Sequence, residues 1–189
     1  KQVANDVDII VAQGTEAGGH SGEIATMVLV PEVVEAVSPR PVLAAGGIGS
    51  GRQAAAALAL GAQGVWTGSM WLNTVECHQS DIMLKKFREA RSQDAVRSRA
   101  YTGKPARQLR TEWTDAWDDP ANPDPLGMPL QYMLNSEALE RIRRAGKEEL
   151  MGTPIGQLVG SFEEVRTVAE VVAQLKDEYT RTVAALPQL

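Results

Sequence analysis

The segment 11–22, Val-Ala-Gln-Gly-Thr-Glu-Ala-Gly-Gly-His-Ser-Gly, sets His20 among glycines just past an apolar run. An imidazole titrates near neutrality and can act as a general acid or base. Two further segments share the construction: Ala-Ala-Gly-Gly-Ile-Gly-Ser-Gly-Arg at 44–52 and Gly-Val-Trp-Thr-Gly-Ser at 64–69. Glycine carries no Cβ, so bare backbone N–H groups at such turns can approach an anion closely. N–H clusters of this kind, beside a helix N-terminus, suit a phosphate. Gly46, Gly47 and Gly49 together with Gly68 and Ser69 form the expected nest, and His20 supplies proton chemistry. Glu16 either meets a substrate or caps its loop.

These residues need strands that stop at the same level. Val7–Ala12, Pro41–Ala45 and Gly64–Thr67 read as short strands, and Val7–Ala12 is continuous enough to be covered on both faces. Ile24–Val37, with Pro31 in its first turn, and the alanine-rich Arg52–Leu60, closed by Gly61, read as the helices between them. The first 70 residues are therefore β-loop-α-β-loop-α-β. Beyond about residue 74 the pattern turns helical. Asp81–Ala95 is amphipathic, with Ile82, Leu84, Phe87 and Ala90 inward. Thr102–Arg110 reads as turns and Trp113–Pro129 as irregular. Ser136 is read as the cap of a helix over Glu137–Ala145, and Gly152–Gly160 as a loop. Ser161 with Glu164 is read as a capping box for a last helix over Phe162–Leu186.

Composition narrows the class. The chain has 189 residues, 43% hydrophobic and 23% charged, with a formal net charge of -5, which disfavours a polyanion-binding role. Lys104, Arg107 and Arg110 read as a solvated face. Cys77 is the single cysteine, so no internal disulfide forms, as expected in a reducing compartment. Cys77 with His78 is too small a set for zinc, and Cys77 reads as a small buried hydrophobe. No apolar stretch approaches the roughly 20 residues of a membrane span. Trp113 and Trp117 at helical spacing, and Met128, Met133 and Met151, read as packing. The N-terminus has neither an initiator Met nor an apolar signal core, so the chain reads as cut from a longer polypeptide.

Two consecutive strand ends sharing a phosphate are the arrangement of the last two strands of a TIM barrel. A Rossmann reading fits less well, because Gly47-Ile48-Gly49 followed by Gly51 misses the G-x-G-x-x-G spacing. The runs 12–22, 44–48 and 64–69, with Thr102-Gly103-Lys104-Pro105-Ala106-Arg107, resemble nitronate monooxygenases. The Ala-Gly-Gly-His-x-Gly element is shared with flavin-dependent enoyl-acyl-carrier-protein reductases. The resemblance implies an α/β fold: the C-terminal part of a (β/α)8 barrel with an appended small α-helical domain. Its parts would be barrel strands over 1–74, a helical substrate domain over 75–160 and a helix packing back over 161–189.

It further implies a cytoplasmic FMN enzyme that oxidises alkyl nitronates, or nitroalkanes, with O2 to a carbonyl compound and nitrite. Gln13, Gly14, Gly18 and Gly19 would line the flavin. Gly46, Gly47 and the run Trp66, Thr67, Gly68 and Ser69 would hold its phosphate, and His20 would be catalytic; no metal is called for. The family more often has Gly-Thr-Arg-Phe where this chain has Gly68-Ser69-Met70-Trp71. The expected partners are the small substrate and O2, with no nucleic acid or membrane. A homodimer is left open, and the first half of the barrel is needed. The alternatives are an NAD(P)H-dependent enoyl-thioester reductase and a non-catalytic flavin-binding module.

Overall fold

The computed structural model describes residues 6–186. Three parallel strands, β1 (Ile10–Gln13), β3 (Val42–Ala45) and β4 (Gly64–Trp66), lie in the order β1-β3-β4. Their register pairs Gln13 with Ala45 and Ala45 with Trp66, so all three end in one row. The three glycine segments therefore leave the sheet along a single rim. Helix α1 (Thr26–Val37) joins β1 to β3, and α2 (Gly51–Ala59) joins β3 to β4. The core between sheet and helices holds Ala12, Val30, Val37, Val42, Ala44, Ile48, Ala57 and Ala62. Covering on both faces holds for the central β3. Ile9 and Val11 on the β1 side and Trp66 on β4 are exposed, because these strands are the edges of the described sheet.

A second sheet, antiparallel, has the order β2 (Gly19–His20), β6 (Ala106–Leu109), β5 (Ala95–Ser98). The sequence reading has a loop at 13–22 and turns at 102–110. The correction is physical: β6 is Ala-Arg-Gln-Leu, buried along its whole length, and its polar side chains bond main-chain carbonyls, Arg107 at Thr15 and Gln108 at Ser98. Its hydrophobic support is a second core of Met83, Phe87, Ala95, Leu109, Ile155 and Val159.

Several helix boundaries also differ from the reading. Helix α3 (Asp81–Glu89) stops early, because the Asp94 carboxylate accepts the Arg91 N–H at 2.7 Å and closes a short turn that leads into β5. Helix α4 (Glu112–Asp118) occupies part of the segment read as irregular, capped by Thr111. Helix α5 runs over Leu130–Ala145; Ser136 lies inside it, its hydroxyl bonded back to the Met133 carbonyl. Met128 and Met133 are exposed, not packed. Helix α6 (Val168–Ala185) is capped by a Thr167–Glu170 box, not by Ser161 and Glu164. The Ser161 hydroxyl instead bonds the Leu158 carbonyl, and Phe162 packs edge-on against Phe87 with ring centres 6.2 Å apart. Helix α6 then lies against α2. A Cβ on Gly51 would stand 2.1 Å from the Tyr179 backbone nitrogen, so the close crossing demands glycine there.

Candidate functional site

The loop after β1 is built downward onto the sheet rim. The Gly14 N–H donates to the Ala45 carbonyl at 2.9 Å, and the Ala17 N–H closes back on the Gly14 carbonyl at 3.1 Å. Both Glu16 carboxylate oxygens accept the Thr26 N–H, at 3.1 and 3.0 Å, and Oε2 lies 2.8 Å from the Thr26 hydroxyl. Of its two sequence readings, Glu16 therefore takes the structural one: it satisfies the opening N–H of α1, where a carboxylate is favoured. Gly14 is required by the same contact, since a Cβ would meet the Thr26 hydroxyl at 2.2 Å.

At the rim a cleft of about 310 Å3 opens, lined by Gln13, Ala17, Gly18, Ala45, Gly46, Gly47, Ile48, Trp66, Gly68, Ser69, Leu72, Pro154 and Leu158. It brings together Gln13, Gly18, Gly46, Gly47, Trp66, Gly68 and Ser69 from three separate segments. Gly14, Gly19, His20 and Thr67 are not among its lining groups. Thr67 serves the wall from behind: its carbonyl and hydroxyl both accept the Trp71 indole N–H at 3.1 Å. Met70, where the family more often has Arg, is buried.

Gly68 carries a distinct signal. Its φ is -130°, outside the left-handed region that favours glycine, and a Cβ on it would meet nothing within 4 Å. Neither strain nor protein packing asks for glycine at this point of the cleft. A group lying tight against the backbone would ask for it. The Ser69 hydroxyl accepts the Gly156 N–H at 2.8 Å and keeps its own proton to donate. The residues thus fit the phosphate end of a flavin.

Sequence reading missed the strap over residues 154–158. The Gly156 Cα faces the loop after β1 and Ser69 at once; an added Cβ would lie 2.6 Å from the Glu16 carbonyl. The Gln157 N–H donates to that carbonyl at 3.0 Å, and Pro154 and Leu158 complete the cleft wall. The available signal was the crowding of Gly152, Pro154 and Gly156, which marks close backbone approach as readily as a surface loop.

His20 stands on β2 and is paired to Ala106. The Gln13 side-chain amide, at the cleft, donates to the His20 carbonyl at 2.9 Å, and His20 Nε2 lies 2.8 Å from the Thr102 hydroxyl. Arg107 locks this sheet to the rim. Its guanidinium donates to the Thr15 carbonyl at 2.7 Å and to the Ala95 carbonyl. Burial, with the nearby Arg97 charge, holds the guanidinium below its ordinary range, while Glu16 opposes. The reading of Arg107 as part of a solvated face is corrected; Arg110, paired to Asp115 at 2.8 Å, is exposed as expected.

His78, left-handed at φ 51°, lines a separate cavity of about 410 Å3 with Tyr101 and Arg143. Cys77 is half-buried and accepts from the Gln79 amide. Trp113 and Trp117 stack tilted, 6.2 Å apart, away from the cleft. Among the described residues no helix is long and apolar enough to cross a membrane.

A parallel α/β half-sheet with a glycine rim and a histidine strand beside it defines part of a barrel of the kind that holds a phosphorylated cofactor at its strand ends. The nitronate monooxygenase model matches residues 2–178, and the chain belongs to that family. A Mycobacterium tuberculosis protein named as a monooxygenase is 57% identical over 195 residues, covering 100% of this chain and 52% of that protein. A Staphylococcus aureus protein named probable nitronate monooxygenase is 33% identical over 82% of this chain and 47% of its own length. The chain thus spans about half the length of the curated relatives it matches. The solved nitroalkane oxidase of Streptomyces ansochromogenes superposes with a TM-score of 0.85 at 31% identity, over 97% of this chain and 55% of that one. FabK of Thermotoga maritima gives 0.79 at 33% identity, over 97% and 59%. Both likenesses agree with an α/β partial barrel.

Proposed function

We propose that the protein is an FMN-dependent oxidoreductase that converts alkyl nitronates, with O2, to a carbonyl compound and nitrite. The observation that carries the reading is the shared rim: three in-register strand ends place Gly18, Gly46, Gly47, Gly68 and Ser69 around one cleft, in a chain of the nitronate monooxygenase family. Flavin, when bound, supplies the redox chemistry. The N–H groups at Gly47 and Gly68 and the Ser69 hydroxyl would hold its phosphate, and Gln13 and Gly18 would line the rest of the same cleft. His20 removes the α-proton when a neutral nitroalkane is bound, and its cationic form stabilises the anion when a nitronate is bound. The segment 75–160 forms the substrate side, and α6 braces the barrel by packing on α2.

The likeness to FabK favours one second reading, NAD(P)H-driven reduction of an enoyl thioester on the same flavin site. Nitrite release coupled to O2 consumption, measured on the intact protein with a preformed alkyl nitronate, tests the first reading. Enoyl-thioester-dependent NADH oxidation without nitrite release overturns it.

A further inference from the structure

We propose that Thr102 is a positioning residue that holds His20 in its Nε2–H tautomer and leaves Nδ1 as the basic nitrogen. The inference rests on His20 being the base of the proposed reaction. Three observations carry it. The Thr102 hydroxyl lies 2.8 Å from His20 Nε2, across 82 residues of sequence. The same hydroxyl lies 3.2 Å from the Lys104 carbonyl as donor, and accepts the Lys104 N–H at 3.3 Å. Nδ1 bonds no group among the described residues.

A hydroxyl has one proton and two acceptor sites. With the proton on the Lys104 carbonyl, one acceptor site takes the Lys104 N–H and the other takes His20 Nε2–H. Every group in the chain then has a partner, and the bonds reinforce one another head to tail. The reverse arrangement, hydroxyl donating to Nε2, leaves the exposed Lys104 carbonyl to solvent and occupies the basic nitrogen.

The loop that carries Thr102 is itself stiff. The Gly103 N–H bonds the Arg99 carbonyl at 2.9 Å, and the Arg99 guanidinium bonds the carbonyls of Gly103 and Pro125, both at 3.0 Å. Gly103 is at φ +81°, with its Cα against the Leu126 carbonyl. A base oriented by a third group that fixes its tautomer is the general logic of paired catalytic residues. Thr102 supplies it without charge; the ionised groups around β2, namely Glu16, Glu23, Arg97 and Arg107, are turned to other partners.

The test is 15N NMR of the intact protein in neutral buffer, with His20 signals assigned by their loss in His20→Asn. Wild type and Thr102→Ser are expected to show a pyrrole-type Nε2 and a pyridine-type Nδ1. Thr102→Val, equal in shape but without the hydroxyl, is expected to average the two nitrogens. Its turnover should fall about 3–10-fold, the worth of one orienting hydrogen bond, with Thr102→Ser near wild type. A pyridine-type Nε2 in wild type, or an unchanged tautomer in Thr102→Val, overturns the proposal. Both readouts are independent of whether His20→Asn lowers activity, so failure here is separable from failure of the proposed function. Should Thr102→Val not fold, the wild-type tautomer alone decides.

Discussion

The two small sheets among the described residues are of equal strand number and opposite construction. The parallel sheet is built on Val42, Ala44 and Ala12, which are buried against two helices. Its strands are local apolar runs that any neighbouring helix can cover. The antiparallel sheet buries Arg107 and Gln108 and is assembled from segments some 90 residues apart, tied by side chain to main chain. The first provides a rim of backbone that can hold an anion. The second carries His20 beside that rim, and the loop between β5 and β6 brings the Thr102 hydroxyl to 2.8 Å from its Nε2. Under the proposed function, binding and proton transfer fall to different sheets, and they should be separable by mutation.

The sharpest separation is His20→Asn. Acid–base catalysis typically contributes about 10²–10⁴-fold. Turnover of a neutral nitroalkane by this variant is expected to drop within that range, with normal flavin content and a smaller loss on a preformed nitronate. Unchanged nitroalkane turnover would mean that the antiparallel sheet carries no chemistry. Next in size is Arg107→Met, which leaves the Thr15 and Ala95 carbonyls short of a donor. It is expected to cost about 2–4 kcal/mol of stability in denaturant titration. Because the lost Thr15 bond ties the antiparallel sheet to the rim loop, loss of flavin should accompany the loss of stability.

A glycine pair then divides packing from binding. Gly51→Ala drives a Cβ into the α6 backbone and should cost about 1–3 kcal/mol. Gly68→Ala meets no protein atom within 4 Å, so its melting temperature should stay near wild type while flavin retention falls. Equal stability loss in both would remove the argument that Gly68 answers to a ligand.

The smallest effect expected is acid sensitivity at the α2–α6 crossing. The Glu178 carboxylate is held below its ordinary 4.5 chiefly by the hydrogen bond from Gln174, then by the Gly51 N–H and the Arg52 and Arg181 charges, against desolvation. A lowered carboxylate adds stability that is present above its unfolded value and lost as pH falls through its folded one. Melting curves taken downward through about pH 4 should therefore fall less steeply for Glu178→Gln than for wild type.

The same contrast explains what the residues disclosed. Apolar runs closing on glycine located β1, β3, β4, α1 and α2 to within a few residues, because their burial is local and periodic. The antiparallel sheet was illegible: Arg107 and Gln108 look like surface, yet their side chains bond main-chain carbonyls, Thr15 far along the chain and Ser98 on the paired strand. Helix α5 inverts the usual pattern. Gln131 and Asn135, one turn apart, are buried on the Ala100 carbonyl, while Leu130, Met133 and Leu134 are exposed. At the site, strand-end glycines were found by type and spacing. The strap at Pro154–Leu158 and the Thr102 contact were not, since both depend on tertiary approach.

The most direct test is the absorbance spectrum of the flavin in the intact protein, mixed anaerobically first with an alkyl nitronate and then, separately, with NADH. The account predicts bleaching by the nitronate and none by NADH. Bleaching by NADH alone, with a spectrum indifferent to nitronate, would contradict it.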